Sequence, residues 1–285
     1  MEVHRMERTV KKAVQGFHTT DGAGVHLVRV LGNSTTEEFD PILMLDSFDS
    51  RNPEDYTAGF PMHPHRGIET ISYVVSGTMR HKDSLGSTDD ITDGELQWMT
   101  AGSGILHEEL IPAAPRLLGV QLWLNLPAKE KMTAPAYHSV RREAIPEETF
   151  PGGKIRILSG NYRGINGFQP AHLPLDYYDI RLEPGTEFRL DTGADRTAML
   201  FTLQGEAAVA GRVIHEKTAA CLTEGDSVTL KCGASPACVL FMSSRALKEP
   251  VCWGGPIVMN TEEELGQAFR ELQTGSFLKQ KVDYQ

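Results

Sequence analysis

Between "VHLVRVLG" at residues 25 to 32 and "GVQLWLNLP" at 119 to 127, short β-forming runs succeed one another with only turn signals such as "SG", "DG" and "GSG" between them. No helical periodicity interrupts the series, and this spacing predicts an all-β sandwich or barrel. The 27 glycines and 16 prolines supply the many turns that such a fold needs. A stretch rich in proline, glycine and charge, "PAKEKMTAPAYHSVRREAIPEETFPGG" (127 to 153), reads as a connection, after which strand patterning resumes at "KIRILSG". The expected division is therefore an N-terminal domain over 1–130, a connecting segment over 131–153 and a C-terminal domain over 154–285.

The second half echoes the first. "SGTM…ITDGELQWMTAG" is matched by "QGEA…LTEGDSVTLKCG", aligning Gly77 with Gly205, Gly94 with Gly225 and Gly102 with Gly233 at separations of 128, 131 and 131 residues. A near-constant offset predicts a duplicated β unit. One helix is expected, in "NTEEELGQAFRELQTG", where Thr261 and Glu264 have capping-box spacing, Leu265, Phe269 and Leu272 share a face and Gly275 can end it.

A formal net charge of −10 and the lack of a basic stripe argue against direct nucleic-acid binding. No apolar run approaches the roughly 20 residues that span a bilayer, and "MEVHRMERTVKKAVQG" has charges but no apolar leader core, so a cytoplasmic location is expected, with no membrane partner. Cys221, Cys232, Cys238 and Cys252 form no CxxC pair and read as plain thiols.

The chemistry concentrates in "FPMHPHRGIET" (60 to 70). Strand side chains alternate between faces, so His63 and His65 point the same way, toward something small enough to meet both. "GSGILHEELIP" presents His107 and Glu109 with the same spacing. Three imidazoles and one carboxylate without a thiolate suit iron, manganese, cobalt, nickel, copper or zinc, and leave positions for water or substrate. His81, His138, His172 and His215 lack such partners and read as surface or core residues.

"FPMHPHRGIETISYVVSGTMRHKD", "DGELQWMTAGSGILHEEL", "GVQLWLNLP" and "GPIVMNTEEEL" resemble the signature segments of the pirin family in the cupin superfamily, over about residues 20 to 275. The resemblance implies a bicupin: two jelly-roll-like β-barrels packed face to face with a short C-terminal helix, a mononuclear metal in the first barrel and none in the second. It carries the ligand roles onto His63, His65, His107 and Glu109; the general cupin pattern, two alternating histidines followed by a glutamate, would instead use Glu69, which has their strand parity, but pirin-like sequences take the carboxylate from the later strand, which favours Glu109. The expected cofactor is one divalent metal per chain, foremost Fe(II). The second half agrees with a metal-free role, because neither "TEFRLDTGADRTAMLFTLQG" nor "ASPACVLFMSS" contains a histidine.

The resemblance further implies quercetin 2,3-dioxygenase activity, with a flavonol and O2 as substrates and carbon monoxide released. Glu109 is the expected proton acceptor. Arg66 is read either as steering an anionic substrate or as a solvated surface residue, and Phe60, Met62 and Trp98 as pocket walls or plain core. Two alternatives remain: an iron-dependent regulatory protein that binds a protein partner without turnover, and a cupin enzyme acting on another substrate.

Overall fold

In the computed structural model, residues 6–280 are described; 1–5, the start of the charged opening stretch, and 281–285 lie outside them. Each β-forming run becomes a strand, and the strands assemble into two compact units. The histidine-bearing unit comprises His18–Thr36, Pro41–Arg142 and the chain from Leu247 onward. The other contains Glu143–Ala246, Glu37–Asp40 and the N-terminal strand Val10–Gln15, which pairs antiparallel with Thr218–Leu222. The division thus differs from the contiguous 1–130, 131–153 and 154–285 scheme. Local composition marks a loop, whereas unit membership follows the backbone pairing that each edge strand finds.

The histidine-bearing unit has two main sheets. The seven-stranded one runs in the order Ala136–Val140, Glu95–Thr100, Ile68–Ser76, Leu117–Asn125, Ile42–Ser50, Val25–Leu31 and Phe17–Asp21. The four-stranded one runs Phe60–His65, Ile105–Leu110, Met79–Asp83 and Thr88–Ile91. Phe48 and Val74 of the first pack with Met79 and Ile91 of the second in one apolar cluster, so the sheets face each other. The other unit, C-terminal in that most of it is Glu143–Ala246, repeats the plan with seven strands and four.

No sheet closes, which corrects the expectation of jelly-roll-like barrels. Closure needs the edge strands of a sheet to hydrogen-bond to each other. Here the edges remain separate, and the chain passes from one sheet to the other at Gly67, between Phe60–His65 and Ile68–Ser76. Gly67 has φ +79°, and a Cβ there would lie 2.0 Å from the Val258 carbonyl oxygen, so only glycine fits.

The duplication exists, but in topology more than in the glycine alignment. Gly77 and Gly205 both follow the third strand of a seven-stranded sheet. Gly94, however, precedes Glu95–Thr100 in a seven-stranded sheet, whereas Gly225 precedes Ser227–Cys232 in a four-stranded one. The second and third glycine pairs are therefore not equivalent.

The helix Glu262–Thr274 is built as its sequence predicts. Thr261 caps it, Glu264 returns the capping-box bond, and Gly275 ends it in the left-handed conformation at φ 73°. Leu265 and Ala268 are buried while Phe269 stays exposed, so the packed face is turned slightly from the expected one. All four cysteines are free and buried. Among the described residues no helix is long and apolar enough to cross a membrane.

Candidate metal centre

The strands Phe60–His65 and Ile105–Leu110 pair antiparallel, with His107 directly opposite His63 and Ile105 opposite His65. Alternation then places His63, His65 and His107 on one face, and their ligand atoms all lie within 4.8 Å of one another. Ring centroids are 4.8 Å apart for His63 and His65, 4.4 Å for His63 and His107, and 5.0 Å for His65 and His107. His65 and His107 are buried, and His63 is half-buried.

The hydrogen bonds select the tautomers. A carbonyl oxygen only accepts, so His63 Nδ1–H donates to Pro61 O at 2.8 Å and His65 Nδ1–H donates to Pro256 O at 3.0 Å. In the neutral rings both Nε2 atoms are then lone pairs, yet they face each other at 3.1 Å. His107 Nε2 is buried with no hydrogen-bond partner among the described residues. Burial, with help from His63, pushes the His65 pKa down to about 3 against the opposing pull of the Pro256 carbonyl. Burial followed by His65, His63 and His81 holds His107 well below the usual imidazole value. Neutral nitrogens aimed at one another without protons between them are what a cation requires of its ligands, so the residues fit a metal ion.

Glu109 shares the buried face of its strand with His107, past a register shift that sets it opposite Phe60. Its carboxylate is turned to the facing sheet. Gln97 Nε2 donates to Oε1 at 2.7 Å, and Gln121 Nε2 donates to Oε2 at 2.8 Å. The close cluster comprises the three imidazoles; the carboxylate is not part of it. Glu69 lies in the other sheet, because the chain changes sheets at Gly67, and its Oε1 accepts from Thr100 Oγ1 at 2.7 Å. The parity argument that made Glu69 a competitor needs one continuous strand, and the sheet change breaks it.

Opposite the histidines, one row of register partners crosses five strands: Gln97, Ser72, Gln121, Asp46 and Arg29. Arg29 holds Asp46 at 2.9 and 2.7 Å and Asp21 at 2.7 Å. The corresponding row of the C-terminal unit reads Ala220, Leu200, Phe241, Tyr178 and Ile157. Facing it, Phe188, Leu190, Val228 and Leu230 join the same buried apolar cluster. Where one unit is furnished with hydrogen-bonding groups, its counterpart is a hydrocarbon core.

A cavity of about 580 Å³ opens on His63 and His65, walled by Phe60, Met62, Met44, Trp123, Trp253, Gln121 and the Arg29 group. Trp123 meets the His65 ring edge-on at 5.0 Å. Phe60 and Met62 are therefore pocket residues, whereas Trp98 is buried and not among the lining residues. Trp123 lies within the family segment "GVQLWLNLP", but nothing there marked it as a wall, and Trp253 lies outside all of the family segments. Arg66 is neither solvated nor at the cavity: it is 2% exposed and pairs with Glu271 at 2.8 Å. His81 is fully buried against His107 and Asp83, a role invisible without the strand register. A larger groove of about 790 Å³ in the C-terminal unit is lined by Lys154 and Arg181, which are paired with Glu147 and Asp179, and among the described residues it gathers no cluster of metal ligands.

Residues 24–124 match the pirin family model, and residues 177–278 match that of the pirin C-terminal cupin domain. The chain is 43% identical over 274 residues to a pirin-like protein of Caulobacter vibrioides, covering 95% of this chain and 99% of that one. Human pirin is 35% identical over 278 residues, covering 94% of each. The crystal structure of quercetin 2,3-dioxygenase from Acinetobacter baumannii superimposes with a TM-score of 0.88 at 30% identity, covering 95% of this chain and 99% of that one. With identity of this order over nearly its full length, the chain belongs to the pirin family.

Proposed function

We propose that the chain is a metal-dependent oxygenase of the quercetin 2,3-dioxygenase type, which opens the ring of a flavonol with O2 and releases carbon monoxide. One observation carries the reading: three imidazoles gather their ligand nitrogens within 4.8 Å of one another beside a cavity walled by tryptophan, phenylalanine and methionine. The kinship with the Acinetobacter baumannii enzyme supports it. His63, His65 and His107 would hold one divalent transition metal, Fe(II) foremost, with manganese, cobalt, nickel, copper or zinc as alternatives. Glu109 is proposed as the oxygen donor beside them. Such an ion would supply Lewis acidity that lowers the pKa of the flavonol 3-hydroxyl.

The chain's own groups bind the substrate and take its proton. A cavity of about 580 Å³ falls within the usual range for a drug-sized ligand. Trp123, Trp253, Phe60 and Met62 bind the aromatic rings and exclude water. Glu109 receives the 3-hydroxyl proton on a carboxylate oxygen, and the Gln97 and Gln121 amides hold that carboxylate in place. The test is oxygen uptake by protein purified without oxygen and loaded with iron(II). Quercetin-dependent uptake with equimolar carbon monoxide is expected. No flavonol-dependent uptake by fully loaded protein defeats the reading and favours an iron-dependent regulatory role. Uptake without carbon monoxide leaves an oxygenase but removes the ring-opening step.

A further inference from the structure

We propose that Asp83 and His81 form a positioning relay that fixes the tautomer of His107 and delivers its Nε2 lone pair to the metal site. The three imidazoles are not oriented alike. His63 and His65 are held through Nδ1 by backbone carbonyls, but His107 Nδ1 faces His81 Nδ1 at 3.5 Å. Two ring nitrogens meet there, and which one donates is decided further out.

The strand Met79–Asp83 lies beside Ile105–Leu110, with Glu109 opposite His81 and His107 opposite Asp83. Alternation turns His81 and Asp83 inward, where both are almost fully buried. His81 Nε2–H donates to Asp83 Oδ2 at 2.8 Å. Asp83 Oδ1 accepts the backbone N–H groups of Leu85 at 2.8 Å and Ser87 at 3.1 Å, so the carboxylate cannot turn. Three donors, His81 Nε2–H and the two backbone N–H groups, converge on the carboxylate, an arrangement that suits its ionised form. The His81 ring is itself stacked on Tyr137, with centroids 4.1 Å apart and 11° between the planes.

An ionised Asp83 only accepts, so a neutral His81 carries its proton on Nε2 and keeps a lone pair on Nδ1. His107 must then donate from Nδ1. Its Nε2 is left unprotonated, buried and without a hydrogen-bond partner among the described residues, beside His63 and His65. His107 is thus the one member of the triad whose proton position is set by a chain of side chains ending in a negative charge. The relay predicts a specific failure. In Asp83→Asn, Oδ1 can keep the Leu85 and Ser87 donors while an NH2 group replaces Oδ2. His81 must then accept at Nε2 and carry its proton on Nδ1, which drives the His107 proton onto Nε2, where a metal ligand cannot have one.

The inference rests on the triad being a metal site, and the test separates the two. Long-range ¹H–¹⁵N spectra of the full-length, metal-free wild-type protein report the tautomer without any metal or variant. An Nδ1–H His107 is expected, and an Nε2–H His107 overturns the relay. In Asp83→Asn the proton should move to Nε2, and zinc affinity, read by competition with a chelating dye, should fall about 10- to 100-fold. His81→Phe, which keeps an aromatic ring against Tyr137 but loses the acceptor, should show a similar fall. A purely structural role would lower the melting temperature and leave the His107 tautomer unchanged. Zinc affinity within twofold of wild type in both variants overturns the proposal. Wild-type protein that binds no zinc while showing the expected tautomer defeats the metal site instead.

Discussion

His63 Nε2 and His65 Nε2 face each other at 3.1 Å, while the Nδ1 atom of each ring is committed to a carbonyl oxygen, of Pro61 and of Pro256. With both rings neutral, neither Nε2 can donate to the other, so two lone pairs stand in opposition. A cation between them removes that conflict and gives the buried His107 Nε2 a partner.

Metal binding should therefore stabilise the fold. At a free metal concentration of 100 times Kd, linkage raises the unfolding free energy by about 2.7 kcal/mol. Differential scanning calorimetry with added iron(II) or zinc should show the rise in wild-type protein. His63→Ala and His107→Ala should show none and should retain no stoichiometric metal by elemental analysis. Full metal retention in either variant would sink the ligand assignment.

The two candidate carboxylates should separate cleanly. Glu109→Gln should lower turnover by roughly 10²- to 10⁴-fold even when excess iron restores the metal content, because the proton acceptor is gone. Glu69→Gln should leave metal content and turnover near wild type, since Glu69 stands in the other sheet and accepts from Thr100. Reversed outcomes would reinstate Glu69 as the ligand.

The C-terminal segment should respond to acid. Burial raises the Glu271 pKa, but Gln267, Lys279 and Arg66 outweigh it and hold the carboxyl at about 2, against an ordinary 4.5. A folded pKa below the unfolded value means that the unfolded chain binds the proton more readily. The contribution is therefore complete above pH 4.5 and is lost as the pH falls from there toward 2. Arg66 depends on it, being buried between Glu271, the Ser103 and Phe277 carbonyls and the Phe277 ring. Glu271→Gln should cost about 3 kcal/mol near neutral pH, toward the low end for breaking a buried pair because the two carbonyls remain. Urea unfolding at pH 7 and pH 3 should show this difference shrinking in acid.

Gly67→Ala tests the crossing between sheets. The left-handed backbone costs a non-glycine residue about 1–3 kcal/mol, and the added methyl must also displace the Val258 carbonyl. Lys131 Nζ donates to both the Gly67 and Val258 carbonyls, so that contact would be disturbed as well. Thermal unfolding should show a loss larger than the backbone term alone, and metal affinity should fall because His65 lies two residues away.

What the sequence determined by itself is what a few neighbouring residues decide. Alternation put His63 and His65 on one face, the Thr261 and Glu264 spacing capped a helix, and long motifs identified the family. The tertiary structure decided the rest, because it depends on pairing between distant segments. It set His107 against His63, placed Glu69 in the other sheet, brought Trp253 to the cavity, buried Arg66 and joined His81 to His107. It also left the sheets open where barrels were expected, since strand periodicity determines which face a residue occupies and says nothing about which edges meet.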